Sequence, residues 1–125
     1  LSRGINVSRK HGNFPAQIST TQFVKLHIFD LLNRGDKYGQ SIIDSIEERL
    51  EGKWKPSPGM VYPLLRQFEE EGYIRGSWLS ESKRTIRLYS LTQDGYNHFN
   101  SVKKTYIEKL ENSKKIIELT IKYIY

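Results

Sequence analysis

The sequence predicts a mainly α fold with a small β-hairpin, and three observations carry that prediction. Apolar residues recur at three- and four-residue steps in three short stretches between Thr20 and Gly72. The period then shortens to two across Tyr73–Leu79 and Thr85–Leu91, on either side of the polar run Ser80-Glu81-Ser82-Lys83-Arg84. From Thr92 the helical period returns and continues without proline to Tyr125. A chain of 125 residues has material for one core and an appendage, not for two cores.

In chain order, residues 1–20 mix Gly, Ser, Asn and Pro with Arg3, Arg9 and Lys10 and show no period, which reads as a flexible basic arm. Such an arm either touches DNA backbone or minor groove or is a solvated tail, the commoner case. Thr20 or Thr21 is suited to cap a first helix reaching about Asn33, with Phe23, Leu26, Ile28, Phe29, Leu31 and Leu32 on and beside its apolar face. A second helix is expected from Tyr38-Gly39 to Gly52, because Ile42, Ile43, Ile46 and Leu50 recur at helical steps and Glu47, Glu48 and Glu51 form a solvated side. In the third, Ser57 is placed to accept from first-turn amides and Pro58 fits a position whose N–H has no partner anyway. Val61, Leu64, Leu65 and Phe68 share its inward face, and Gly72 suits a left-handed stop. Pro63 lies inside this helix, so an irregular turn or slight kink is expected there.

The last helix is capped by Thr92, with Asp94 favourably placed in its first turn. At ~1.5 Å per residue it reaches about 45 Å, more than so small a domain covers. Tyr96, Leu110, Ile117 and Ile124 fall on a seven-residue step, joined by Phe99, Tyr106, Ile107 and Ile121 and interrupted by Lys103 and Lys114. The expected use of this imperfect heptad is packing on the same helix of a second subunit. The alternative, that the basic amphipathic end Lys114–Tyr125 lies on a membrane surface, uses a pattern that more commonly buries against protein.

Three helices followed by a hairpin is the plan of a winged helix-turn-helix, in which the third helix enters the major groove and the hairpin touches the neighbouring backbone. Its chemistry needs small or polar residues at the helix entrance and cations on both flanks. Ser57, Gly59 and Tyr62 supply the first; Lys53, Lys55, Arg66, Lys83 and Arg84 supply the second. The organisation expected is a basic arm over residues 1–20, a winged-helix DNA-binding domain over 21–91 and a C-terminal dimerisation helix over 92–125.

Charge and composition narrow the function. The formal charge is +6, but residues 21–95 carry equal numbers of acids and bases, so the surplus sits at the two ends and the positions of charges must decide. Without cysteine there is neither a disulfide nor a thiolate metal site, which fits a cytoplasmic setting. No apolar run is long enough for a membrane span or a signal peptide core. His11, His27 and His98 stand in different elements, no phosphate-binding glycine loop occurs, and Glu69-Glu70-Glu71 reads as a solvated helix end. No enzyme activity, cofactor or metal is therefore expected. The partners expected are double-stranded DNA and a second copy of the chain, with a small-molecule or protein effector left open. The competing reading is a winged-helix module for protein contact, its basic ends serving an acidic partner.

Four stretches carry a resemblance: Phe23–Leu32, Tyr38–Ile42, Trp54–Leu65 together with Glu70–Ile74, and Leu88–Gly95. With the block Ser57-Pro58-Gly59-Met60-Val61-Tyr62-Pro63-Leu64-Leu65 as the most specific part, the chain resembles the PadR family of bacterial transcriptional regulators. The resemblance implies a homodimeric winged-helix repressor on palindromic DNA. It places Tyr38, Ser57, Pro58, Gly59, Tyr62, Lys83 and Arg84 at DNA-facing positions, and Met60 where many relatives carry threonine. The hairpin tip lacks the Gly-Pro segment common in the family. Some relatives hold flat aromatic compounds at the dimer interface between tryptophans of the last helix; here Trp54 and Trp78 lie elsewhere, leaving Tyr96, Phe99 and Tyr106 as aromatic groups of that helix.

Overall fold

The computed structural model describes residues 18–125, with Lys83 described by its backbone. The expected basic arm, with Arg3, Arg9, Lys10 and His11, lies outside these residues but for its last three. Helix α1 spans Thr20–Arg34, strand β1 Lys37–Tyr38, α2 Gly39–Arg49, α3 Pro58–Glu70, β2 Ile74–Ser80, β3 Lys83–Leu91 and α4 Gln93–Ile124. This is the winged-helix plan with a long final helix. The strands form one antiparallel sheet in the order β1-β3-β2.

Several local details differ from expectation. The cap of α1 is Ser19, whose Oγ accepts from the Gln22 amide at 3.1 Å, rather than Thr20 or Thr21, which lie inside the helix. Ser57 is the N-cap of α3, yet its hydroxyl makes no capping bond; its carbonyl instead accepts from Met60 and Val61 at 3.0 and 3.1 Å. Pro63 is accommodated within a helix that runs unbroken from Pro58 to Glu70. The hairpin turn is only Glu81-Ser82, because pairing continues to Ser80 and Lys83 after a register shift between Trp78 and Ser80. Strand β1 is too short for any periodic signal and pairs with β3 through Lys37 with Tyr89 and Tyr38 with Leu88.

One apolar core joins the helices to the sheet. Val24, Ile28, Phe29, Leu31 and Leu32 of α1 meet Ile42, Ile43 and Ile46 of α2 and Val61, Leu64, Leu65 and Phe68 of α3, with Ile74 and Tyr89 from the sheet. Phe99 belongs to the same core, only 2% exposed. It is therefore spent inside the chain and withdrawn from the partner-facing stripe expected for α4, since its ring stacks at 6.3 Å on Phe29.

The hairpin leaves α3 and returns to it at one junction. Gly72, at φ 80°, ends α3 by letting the Tyr73 amide reach the Phe68 carbonyl at 2.9 Å. The Thr92 hydroxyl donates towards the Gly72 and Tyr73 carbonyls at 2.7 and 3.0 Å and accepts from the Gly95 amide at 3.0 Å, capping α4 against the end of α3. Gly95 is buried here, and a Cβ on it would run into the Tyr73 carbonyl and stand 2.7 Å from Leu91 Cδ1. Substitution Gly95→Ala is accordingly expected to cost about 1–3 kcal/mol of stability through overpacking, outweighing the ~1 kcal/mol that alanine gains in a helix. Urea unfolding of the two proteins checks this, and an unchanged or raised midpoint would contradict the junction's tightness.

Candidate nucleic-acid interface

Burial of Val61, Leu64, Leu65 and Phe68 fixes the rotation of α3 about its axis, and the remaining positions follow from the helical period. Ser57, Pro58, Gly59, Pro63 and Arg66 are exposed on the outer side, and Lys53 and Lys55 are exposed on the approach. Between the two lysines, Trp54 meets Phe23 edge-on at 6.0 Å, while Pro56 is buried and anchors the loop. Met60 and Tyr62, both in the expected DNA-facing set, are half-buried and pack against the core.

Tyr62 joins α3 to α2. Its ring lies against the backbone of Gly39, the phenolic oxygen 2.9 Å from where a Cβ on Gly39 would stand. Tyr38, the N-cap of α2, makes no side-chain cap bond and stays exposed. These two tyrosines, with Gln40, form one wall of a hollow of about 300 Å³ whose other wall is the hairpin, through Trp78, Arg84 and Arg87. Arg84 is tied to Glu81 across the turn, an exposed pair of the kind that contributes little to stability. Lys83 opens β3 beside it.

The fold thus brings together two groups of the expected residues. Tyr38, Tyr62 and Arg84 line the hollow, and Lys53, Lys55, Ser57, Pro58 and Gly59 form the approach and first turn of α3. The α4 residues stand apart from both. Gln40, Trp78 and Arg87 were not among the expected site residues. Glu69, expected to be part of a solvated run, is half-buried and paired with Arg87. The available signal was weak: Arg87 shares a strand face with Tyr89, and an arginine on a core-facing side needs a carboxylate.

This geometry can be set beside known proteins. A model of the transcriptional regulator PadR-like family matches residues 28–101, more than half of the chain. The chain belongs to that family. It is 33% identical over 72 residues to the transcriptional regulator YqjI of Escherichia coli (strain K12), a match covering 58% of this chain and 33% of that protein. The chain thus spans about a third of the length of this curated relative. Among solved structures it is similar to a transcriptional regulator from Clostridium thermocellum, with 27% identity, a TM-score of 0.63, and coverage of 83% of this chain and 95% of the other. A PadR family transcription regulator from hypervirulent Clostridium difficile R20291 shares the fold at 20% identity and a TM-score of 0.55, covering 79% of this chain and 98% of the other. PadR-like proteins are regulators rather than enzymes, and no group of metal-binding side chains occurs among the described residues. No helix among those residues is long and apolar enough to cross a membrane.

A second hollow of this PadR-like chain, about 240 Å³, lies between α1 and α4. Phe23, Leu26, Phe99, Tyr106, Ile107 and Leu110 line it, with His27, Asp30, Arg49 and Lys103 as its polar part. Asp30 Oδ2 accepts from Arg34 Nε and Arg49 Nη2, both at 2.9 Å, and Arg49 Nη1 lies 3.1 Å from His27 Nδ1. Burial first, then Arg49, pushes His27 below its ordinary 6.5, with Asp30 opposing. Burial also acts on Asp30, in the raising direction, but the hydrogen bonds from Arg34 and Arg49 outweigh it and hold the carboxyl below its ordinary 3.8. On the other side of α4, His98 stacks on Tyr73 at 4.1 Å and is lowered by burial and by Lys25, with Glu71 opposing.

All three groups bind protons more readily in the unfolded chain, so stability rises with pH wherever they titrate. It is expected to be full above about pH 6.5, to fall as the pH drops through the histidine range, and to fall again below about 3.8, as Asp30 is protonated. Urea midpoints between pH 8 and 3 measure the profile. The double variant His27→Gln/His98→Gln should flatten the first limb and leave the second.

Proposed function

We propose that the chain is a homodimeric, sequence-specific DNA-binding repressor that lays α3 of each copy in the major groove of a palindromic site. The observation that carries this reading is the division of α3: one side is fixed in the core, and the other exposes Ser57, Pro58, Gly59 and Arg66, with Tyr62 half-buried at its edge and Lys53 and Lys55 on the flank. Small residues at the helix start allow backbone to come close to phosphate, while the cations supply the sequence-independent attraction. The hairpin, with Lys83 and Arg84, follows the neighbouring backbone. In this assignment residues 21–91 bind DNA and 92–125 hold the dimer together. Two α3 helices about 34 Å apart meet successive major grooves on one face of the duplex.

Exposure along α4 supports the dimer. Ile117, Ile121 and Ile124 are 47%, 57% and 68% exposed, and half-buried Leu110 with exposed Ile107 and Tyr96 continue the stripe towards the core end. Replacing Ile117 and Ile121 by glutamate should yield a monomer in sedimentation velocity while far-ultraviolet dichroism stays helical. A dimer unaffected by both charges would place the contact elsewhere.

Titration of the gene's own upstream duplex against salt, beside random duplex, tests DNA binding. Lys55→Ala should weaken both and reduce the salt slope by about one. Tyr62→Phe keeps the packing on Gly39 and should erode the preference for the specific duplex, about threefold to tenfold, with little effect on random DNA. Equal affinity for both duplexes in the parent protein would reject the sequence-specific reading. Tight capture of an acidic protein partner without DNA would favour the protein-contact module instead.

A further inference from the structure

The strongest unassigned feature is the contact between the last turn of α3 and the hairpin. Glu69 and Arg87 meet there as a two-pronged pair, Nε to Oε1 at 3.1 Å and Nη2 to Oε2 at 2.5 Å, with side chains only 26% and 24% exposed. The guanidinium carbon lies 4.6 Å from the centre of the Trp78 ring. Trp78 is the partner of Arg87 across β2 and β3, and Gly76 the partner of Tyr89, so these four residues share the sheet face turned towards α3. The pair occupies space that Gly76 leaves open: a Cβ there would run into the guanidinium and stand 2.8 Å from Glu69 Oε1.

Beyond this point no described side chain is seen to bond the hairpin to the helices. The register shifts between Trp78 and Ser80, and every described side chain from Leu79 to Ile86 is exposed. The Arg84–Glu81 pair lies within the tip and ties it only to itself. Among the described side chains, the outermost tie between hairpin and body is therefore the Glu69–Arg87–Trp78 stack. A fork-to-fork pair fixes rotation as well as distance, which a single lysine contact would not.

We propose that Glu69, Arg87 and Trp78, seated over Gly76, act as a positioning clamp that sets the angle between α3 and the hairpin and thereby the tightness with which DNA is gripped. This rests on the DNA-binding reading given above. The clamp explains why a carboxylate is kept beside a surface that meets phosphates. By charge alone Glu69 opposes binding, so any favourable contribution it makes must come through what it holds in place.

That gives a test of sign. Coulomb repulsion alone predicts that Glu69→Gln binds the specific duplex more tightly, whereas the clamp predicts binding about tenfold weaker. Arg87→Lys keeps the charge but loses the fork, and Gly76→Ala displaces the guanidinium without altering charge; both should also weaken binding. In a Trp54→Phe background the emission of Trp78 reports whether Arg87 has left the ring, and it should shift in all three variants. Full-length protein is used throughout, with circular dichroism to show that each variant is folded. Tighter or equal binding by Glu69→Gln and Arg87→Lys, with Trp78 emission shifted, overturns the clamp while leaving DNA binding intact. Weaker binding with Trp78 emission unmoved also overturns it, since Glu69 would then act on DNA without holding Arg87. Failure of the parent protein to bind any duplex removes the functional reading and the clamp together.

Discussion

Phe29 is the side chain on which the rest of the structure depends. It lies on α1, fully buried, and its ring meets Phe68 of α3 at 4.8 Å, Tyr73 at the α3–β2 junction at 6.1 Å, and His98 and Phe99 of α4 at 5.7 and 6.3 Å. Each fully buried side chain of this size contributes about 1.5–3 kcal/mol relative to exposure, whereas an exposed pair such as Arg84–Glu81 contributes ~1 kcal/mol at most. The aromatic cluster therefore decides how the helices are arranged, and the surface ion pairs adjust an arrangement already made. Once Phe68 is committed to Phe29, the outward side of α3 is settled by geometry.

The same cluster explains the form of α4. Its first two turns are built most tightly into the body, through the Thr92 cap, the close approach of Gly95 to Tyr73 and the burial of Phe99, and it continues to face α1 as far as Leu110. Past Leu110 the helix goes on to Ile124 with its apolar stripe exposed, apart from the half-buried Ile116 and the buried Ser113. A helix held at one end and apolar along its free length is suited to packing against a partner.

What the sequence made legible follows from the range of the forces involved. The three helices, the hairpin and the long last helix are written in periodicity, which is a local property, and the inward residues of α3 could be read one by one. The exposure of Ser57, Pro58, Gly59 and Arg66 was equally readable, whereas Met60 and Tyr62 turn partly towards the core from positions the helical wheel leaves undecided. Contacts between distant segments were not readable. The pairing of Lys37–Tyr38 with β3, the capture of Phe99 by Phe29 and the bond between Glu69 and Arg87 each join residues far apart in sequence, and no spacing encodes them. The caps show the same limit at short range, since Ser19, Thr20 and Thr21 are chemically similar candidates and residue type alone does not select Ser19.

The first turn of α3 carries a last argument about the site. Pro63 has no amide hydrogen, so the Gly59 carbonyl does not receive the bond that another residue at position 63 would give. The Ser57 hydroxyl, too, makes no cap bond. Among the described residues nothing requires a glycine at 59: its φ is not positive, and of them an added Cβ would meet only the Ser57 hydroxyl, at 3.8 Å. Yet glycine in a helix costs ~1 kcal/mol relative to alanine. A turn that gives up helix propensity, a cap bond and a backbone bond at one exposed place is not arranged for its own stability. The bare backbone allows close approach from outside, the Ser57 hydroxyl is free to donate to a phosphate, and the Gly59 carbonyl is free to accept from a donor such as a base amino group in a groove.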